Sequence, residues 1–101
     1  MGIDTGTRNA WVIHTSYVED DTWGEAADVY VAGPHDITSK DEKRLCSGGG
    51  IEFKIFDDDG DLCYKGRCGA RDFDPLDDYG TPNMGCTRID YRQPDGSWAI
   101  L

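Results

Sequence analysis

The stretch Ile51 to Gly66, IEFKIFDDDGDLCYKG, constrains the fold more tightly than any other part of the chain. Ile51, Phe53 and Ile55 alternate with Glu52 and Lys54, the period-two pattern of a strand with one buried and one solvated face. Leu62 and Tyr64 alternate with Cys63 and Lys65 in the same way. Between the two runs, Asp57-Asp58-Asp59-Gly60 supplies carboxylates that bond nearby backbone N–H groups, and a glycine that takes positive φ without steric cost. This is a β-hairpin, and a hairpin with a half-apolar pattern requires a larger sheet around it.

The flanking segments supply that sheet. Trp11, Ile13, Thr15 and Tyr17 alternate with Val12, His14, Ser16 and Val18, and the aromatic and β-branched enrichment predicts a first strand. Glu19-Asp20-Asp21 reads as an acidic turn, and Asp28 to Ala32 as a second strand ended by Gly33-Pro34. Antiparallel pairing of these two neighbours is the simplest arrangement. From Ser39 the pattern changes: Ser39-Lys40-Asp41-Glu42 has the form of a capping box and predicts one short helix from Ser39 to Cys46, ended by Gly48-Gly49-Gly50. That glycine run follows a helix and precedes a strand, the reverse of a phosphate-cradling loop, and lacks the Gly-Lys-Ser/Thr ending. Arg67 to Gly85 has no clear periodicity and many punctuating residues, which predicts a long acidic loop. Thr87 to Arg92, a Pro94-Asp95-Gly96 turn and Ser97 to Leu101 form a second hairpin. The expected fold is α+β: an antiparallel sheet of about five or six strands with one short helix and a long acidic loop.

The 101 residues are expected to form a single domain, with residues 1–9 a polar flexible arm. Twenty Asp and Glu against ten Lys and Arg give a formal net charge of −10, which opposes direct binding to nucleic acid or anionic membranes and favours a basic partner. No apolar run approaches the roughly 20 residues of a membrane span, and no secretory signal is evident, so the expected location is the cytoplasm. In that compartment Cys46, Cys63, Cys68 and Cys86 are expected to be thiols that pack as small apolar groups. A four-thiolate zinc site or two disulfides are the alternatives, although Cys63 and Cys68 are the one close pair and no second pair matches them.

Little in the sequence points to catalysis. His14 and His35 have no spacing that pairs them with an acid or nucleophile, and no cofactor fingerprint is present, so no catalytic residue, cofactor or metal ligand is assigned and the chain is read as a non-enzyme. Asp57 to Asp61 invites comparison with a calcium loop, whose acids alternate from the first position to a Glu at the twelfth, but Ile55 and Phe56 occupy strand positions and Lys65 and Gly66 lie beyond the run, so the turn is preferred.

Asp57-Asp58-Asp59-Gly60, Tyr64-x-Gly66-Arg67, Pro75-Leu76-Asp77-Asp78-Tyr79-Gly80-x-Pro82-Asn83-x-Gly85-Cys86-Thr87 and Tyr91 together resemble a family of small uncharacterised bacteriophage and mobile-element proteins, over residues 51–101. The resemblance implies a phage-related setting, in which the cytoplasm would be that of a host cell, and it carries no activity with it. Together with the charge, it leads to the expectation of a small acidic binding protein, an inhibitor of a basic host nucleic-acid-binding defence protein of the anti-CRISPR or DNA-mimic kind. A structural or metal-stabilised phage protein is the alternative. The expected binding residues are Asp57, Asp58 and Asp59 of the hairpin turn and Asp72, Asp74, Asp77 and Asp78 of the long loop.

Overall fold

In the computed structural model, which describes residues 10–19, 25–33 and 37–101, the alternating segments become the strands β1 (Trp11–Ser16), β2 (Ala27–Gly33), β3 (Ile51–Phe56), β4 (Leu62–Cys68), β5 (Arg88–Arg92) and β6 (Trp98–Ile100). They form one six-stranded sheet in the order β2-β1-β4-β3-β5-β6, antiparallel at every pairing. The two expected hairpins and the pairing of the first two strands are all present. The expected arm at residues 1–9, Asp20 and Asp21 of the acidic turn, and His35 lie outside the described residues.

Each turn is built by the groups its sequence supplies. Asp57 Oδ1 accepts the N–H groups of Asp59 and Asp61 at 3.0 and 2.9 Å, and Gly60, at φ +84°, donates its N–H to Asp57 O. At the second hairpin Gln93 N donates to Ser97 O at 2.7 Å, and Asp95 Oδ1 accepts from both the N–H and the hydroxyl of Ser97.

Two irregularities shift the alternation. Tyr64 lies opposite Ile55 and Leu62 opposite Phe56, so Cys63 is an extra residue, bulged into the same core that Tyr64 enters. In β1 the register slips between Ile13 and Thr15, so Thr15 pairs with Lys65 and Ser16, fully buried, pairs with Tyr64. The plain alternation expected for this strand therefore holds only as far as Ile13.

The two faces of the sheet carry different cover. On one, α1 (Ser39–Cys46) sets Leu45 against Ala10 and Val12, with Ala32 and Ile37 beside them. The helix spans the expected residues, but its N-cap is Thr38 rather than the Ser39 of the capping-box pattern, because the Thr38 backbone is extended and its Oγ1 accepts the Asp41 N–H at 3.2 Å. It ends as the glycines dictate. Gly48, at φ +97°, donates to Leu45 O, and Gly49 donates to Arg44 O, the paired bonds of a Schellman motif.

On the other face lies the principal departure from expectation. The segment expected to be a long acidic loop contains a π-helical turn, Leu76–Gly80, running directly into a second helix, α2 (Thr81–Met84). Thr81 N donates to Leu76 O, the five-residue step of a π turn. Leu76, Gly80 and Met84 succeed one another toward the sheet at four-residue intervals, but the middle position carries no apolar side chain to mark the stripe. Gly80 is needed there: a Cβ would come within 2.9 Å of Ile55 Cγ2 and 3.3 Å of Cys86 Cβ. Pro75 precedes the turn and Pro82 lies in the first turn of α2, positions where a missing N–H is tolerated. Gly85, at φ +64°, closes the segment by donating to Thr81 O.

Beneath this segment the core is aromatic. Tyr79 stacks its edge on Tyr64 at 5.1 Å and tilts against Trp11 at 6.0 Å, while Phe53 and Tyr91 meet edge-to-face at 6.0 Å. The Phe53 ring also lies on Gly66, where a Cβ would approach the ring within 2.8 Å and Val12 O within 2.0 Å. Among the described residues no helix is long and apolar enough to cross a membrane.

Candidate functional site

The acids expected to bind a partner fall into two groups on different supports. Asp57, Asp58 and Asp59 project beyond the end of β3 in the hairpin turn, where Asp58 and Asp59 are exposed and Asp57 is half-buried by its turn bonds. Asp57, Asp59 and Asp61 bring carboxylate oxygens within 4.8 Å of one another. The two backbone bonds to Asp57 Oδ1 account for that convergence as turn structure.

The second group is held against β5. Tyr91 is buried, and its hydroxyl donates to Asp72 O at 2.7 Å and accepts from Asp72 N at 3.3 Å, fixing the start of the segment. Asp72 Oδ1 in turn accepts the Asp74 N–H at 3.0 Å. Both residues are half-buried, whereas Asp77 and Asp78 stand exposed on the outer side of the π turn. The structure thus gives Asp77 and Asp78 a helical support that a loop would not. Glu19, the described member of the third acidic run, is exposed and accepts from the Ser16 hydroxyl at 2.8 Å.

Among the described residues, ion pairs join Arg44 to Asp41, Arg67 and Arg92 to Glu52, and Arg88 to Asp90. None involves Asp57, Asp58, Asp59, Asp72, Asp77 or Asp78.

A second surface escaped the sequence reading. Beyond the patch covered by α1, the sheet face opposite the aromatic core carries Lys65 and Arg67 of β4, Lys54 of β3, and Arg88 and Arg92 of β5, five cations among which stand the carboxylates of Glu52 and Asp90. Lys54 and Lys65 are directly opposite each other in register. Aromatic rings lie among these cations: Lys54 Nζ is 4.2 Å from the Trp98 ring centre, and the Arg88 guanidinium is 4.0 Å from that of Phe56. His14 borders this surface and hydrogen-bonds Thr15 at 2.7 Å. Burial, then Lys65 and Arg67, push its pKa below the ordinary imidazole value. The signal was present as the polar phase of three separate strands, but it becomes a surface only once their register is known.

The four cysteines do not converge on one point, and no disulfide joins them. Cys46 is exposed on α1, while Cys63, Cys68 and Cys86 are buried. Burial raises the Cys63 and Cys68 thiols and, with the neighbouring Cys63, pushes Cys86 up to about 12, so all three remain protonated near neutrality.

Comparison of the chain with models of known protein families, with curated proteins and with solved structures found no match. The functional reading therefore rests on the residues themselves.

Proposed function

We propose that the protein is a small non-enzymatic binding protein that presents acids to a basic partner. The observation that supports this most directly is the distribution of ion pairs. Asp58, Asp59, Asp77 and Asp78 are exposed, and none has a cationic partner among the described residues. Uncompensated carboxylates repel one another and keep their field available to an incoming cationic surface, where they accelerate encounter and select against anionic competitors.

The sharper form of the proposal is an inhibitor that occupies the nucleic-acid channel of a host defence protein, of the anti-CRISPR or DNA-mimic kind. B-DNA presents about one charge per 1.7 Å of axis, so such a channel is matched only by closely set acids. The hairpin turn meets that requirement locally, with three carboxylates inside 4.8 Å. The phage-like pattern of residues 51–101 supports the same setting.

The test is a pull-down from bacterial lysate with the parent chain and with a variant carrying Asp72→Asn, Asp74→Asn, Asp77→Asn and Asp78→Asn. The expected result is a basic protein captured by the parent, displaced by added duplex DNA and lost with the variant. Equal recovery of the same protein by both chains, or capture indifferent to DNA and salt, overturns the electrostatic reading.

A further inference from the structure

At the end of the basic sheet face nearest the glycine run, a cleft of about 310 Å³ is lined by Arg67, Arg71 and Arg92 and by a single carboxylate, Glu52. Arg67 is fixed by three bonds: Nε to Gly49 O at 2.7 Å, Nη2 to Gly50 O at 3.3 Å and Nη1 to Glu52 Oε1 at 3.3 Å. Arg92 donates from Nη1 to the other Glu52 oxygen at 3.2 Å, and its carbonyl accepts from Arg71 Nη2 at 3.1 Å. Burial works against ionisation of Glu52, but the bonds and charges of Arg92 and Arg67 outweigh it and hold its carboxyl below the usual value. Glu52 is therefore charged and offsets one of the three cations.

Among the described residues that line the cleft, two positive charges exceed the one carboxylate, in a chain whose formal net charge is −10. Arg71 is exposed and uses one of its N–H groups on the Arg92 carbonyl, and a guanidinium has four others to offer a ligand. A guanidinium fork matches the planar or tetrahedral oxygens of carboxylate and phosphate, and one already immobilised loses little entropy on binding. The residual charge of two selects a dianion, and a phosphate monoester, with its second pKa near 6, is the common group of that charge and size.

We propose that the cleft bounded by Arg67, Arg71 and Arg92 binds a phosphate monoester dianion. The site is independent of the acidic surfaces, and its failure would leave the binding-protein reading intact. Calorimetric titration of the full chain near pH 7.5 with inorganic phosphate, and with acetate as a monoanionic reference, reads the site directly. Phosphate is expected to bind at least about tenfold more tightly than acetate, and Arg71→Gln and Arg92→Gln each to weaken it about tenfold, one charge-assisted bond.

Glu52→Gln is expected to strengthen binding, because it removes the competing carboxylate. Glu25→Gln changes the net charge equally at an exposed position preceding β2, on the far edge of the sheet, and is expected to leave binding unchanged. Parallel titrations with O-phosphoserine and a nucleoside 5′-monophosphate distinguish the source: whichever binds more tightly names a phosphorylated peptide or a nucleotide, and either supports the site. Phosphate and acetate binding alike, no binding at millimolar phosphate, or full affinity in a folded Arg71→Gln variant overturns it.

Discussion

The two faces of the sheet are made by the same strands and obey different rules. On the covered face, Ile13, Phe53, Ile55, Ile89 and Tyr91 are buried under the π turn and α2, and specificity is a matter of shape. On the opposite face, Lys54, Lys65, Arg67, Arg88 and Arg92 alternate with those residues, and neighbours are related by charge. The lesson is that a strongly acidic chain need not present an acidic surface everywhere. Its net charge reports a sum, whereas a partner meets one face, and charges beyond a Debye length of about 8 Å are largely screened.

Adjacent residues sharpen this contrast most. Phe53→Ala should cost about 4 kcal/mol, since it removes a fully buried ring and leaves a cavity. Lys54→Ala, one residue away on the other face, should cost about 0.5 kcal/mol, the worth of its contact with Trp98. Urea melts of the two variants check this, and similar losses would erase the distinction between the faces. Gly66→Ala follows, at about 3 kcal/mol, because the added methyl meets Val12 O and the Phe53 ring in the middle of the sheet.

Tyr91→Phe should cost about 1–2 kcal/mol by leaving both backbone groups of Asp72 without their partner. A loss of protection at the Asp72 amide in hydrogen exchange would show that the lesion lies where the helical segment is anchored.

The covered face also makes a pH prediction. Burial raises Cys63, Cys86, Tyr64 and Tyr91 above their ordinary values, so the folded state retains protons that the unfolded chain releases. Unfolded molecules then bind fewer protons, and stability falls as pH rises above the ordinary thiol value of 9.0. A melting temperature that declines between pH 9 and pH 11 checks the sign. Below that range a thiol reagent should modify Cys46 rapidly and the three buried cysteines only on unfolding. The smallest effect belongs to the open face: Lys65→Gln relieves the like-charge pair with Lys54 and should stabilise by about 0.3 kcal/mol at low salt, disappearing at high salt.

Most strands were legible because their burial is one-sided. Ile51 to Ile55 and Leu62 to Tyr64 announce a hairpin, and Gly48-Gly49-Gly50 stops the helix that precedes it. The π turn was not legible, because Gly80 occupies the buried position where an apolar side chain would have marked the pattern, and the prolines around it read as breaks. The bulge at Cys63 was hidden for a related reason: pairing geometry, not composition, decides which residue is the extra one. The acidic residues of the expected site were plain in the sequence. The arginine cleft was not, since Glu52, Arg67, Arg71 and Arg92 meet only through pairing across β4, β3 and β5 and the segment that follows β4.

The position of β1 has a consequence for the order in which the molecule assembles. It lies between β2, its sequence neighbour, and β4, whose residue Cys68 pairs with Trp11 across most of the chain's length. During synthesis the β1–β2 hairpin can form early, but the second edge of β1 stays open until β4 emerges, and α1 lacks its contacts with β4 before then. Closing that long loop places folding in the slow regime of non-local sheets, on the order of milliseconds to seconds. A chain interrupted before Leu62 would present Val12 and Ile13 on an unpaired strand edge, the kind of template on which nascent chains aggregate.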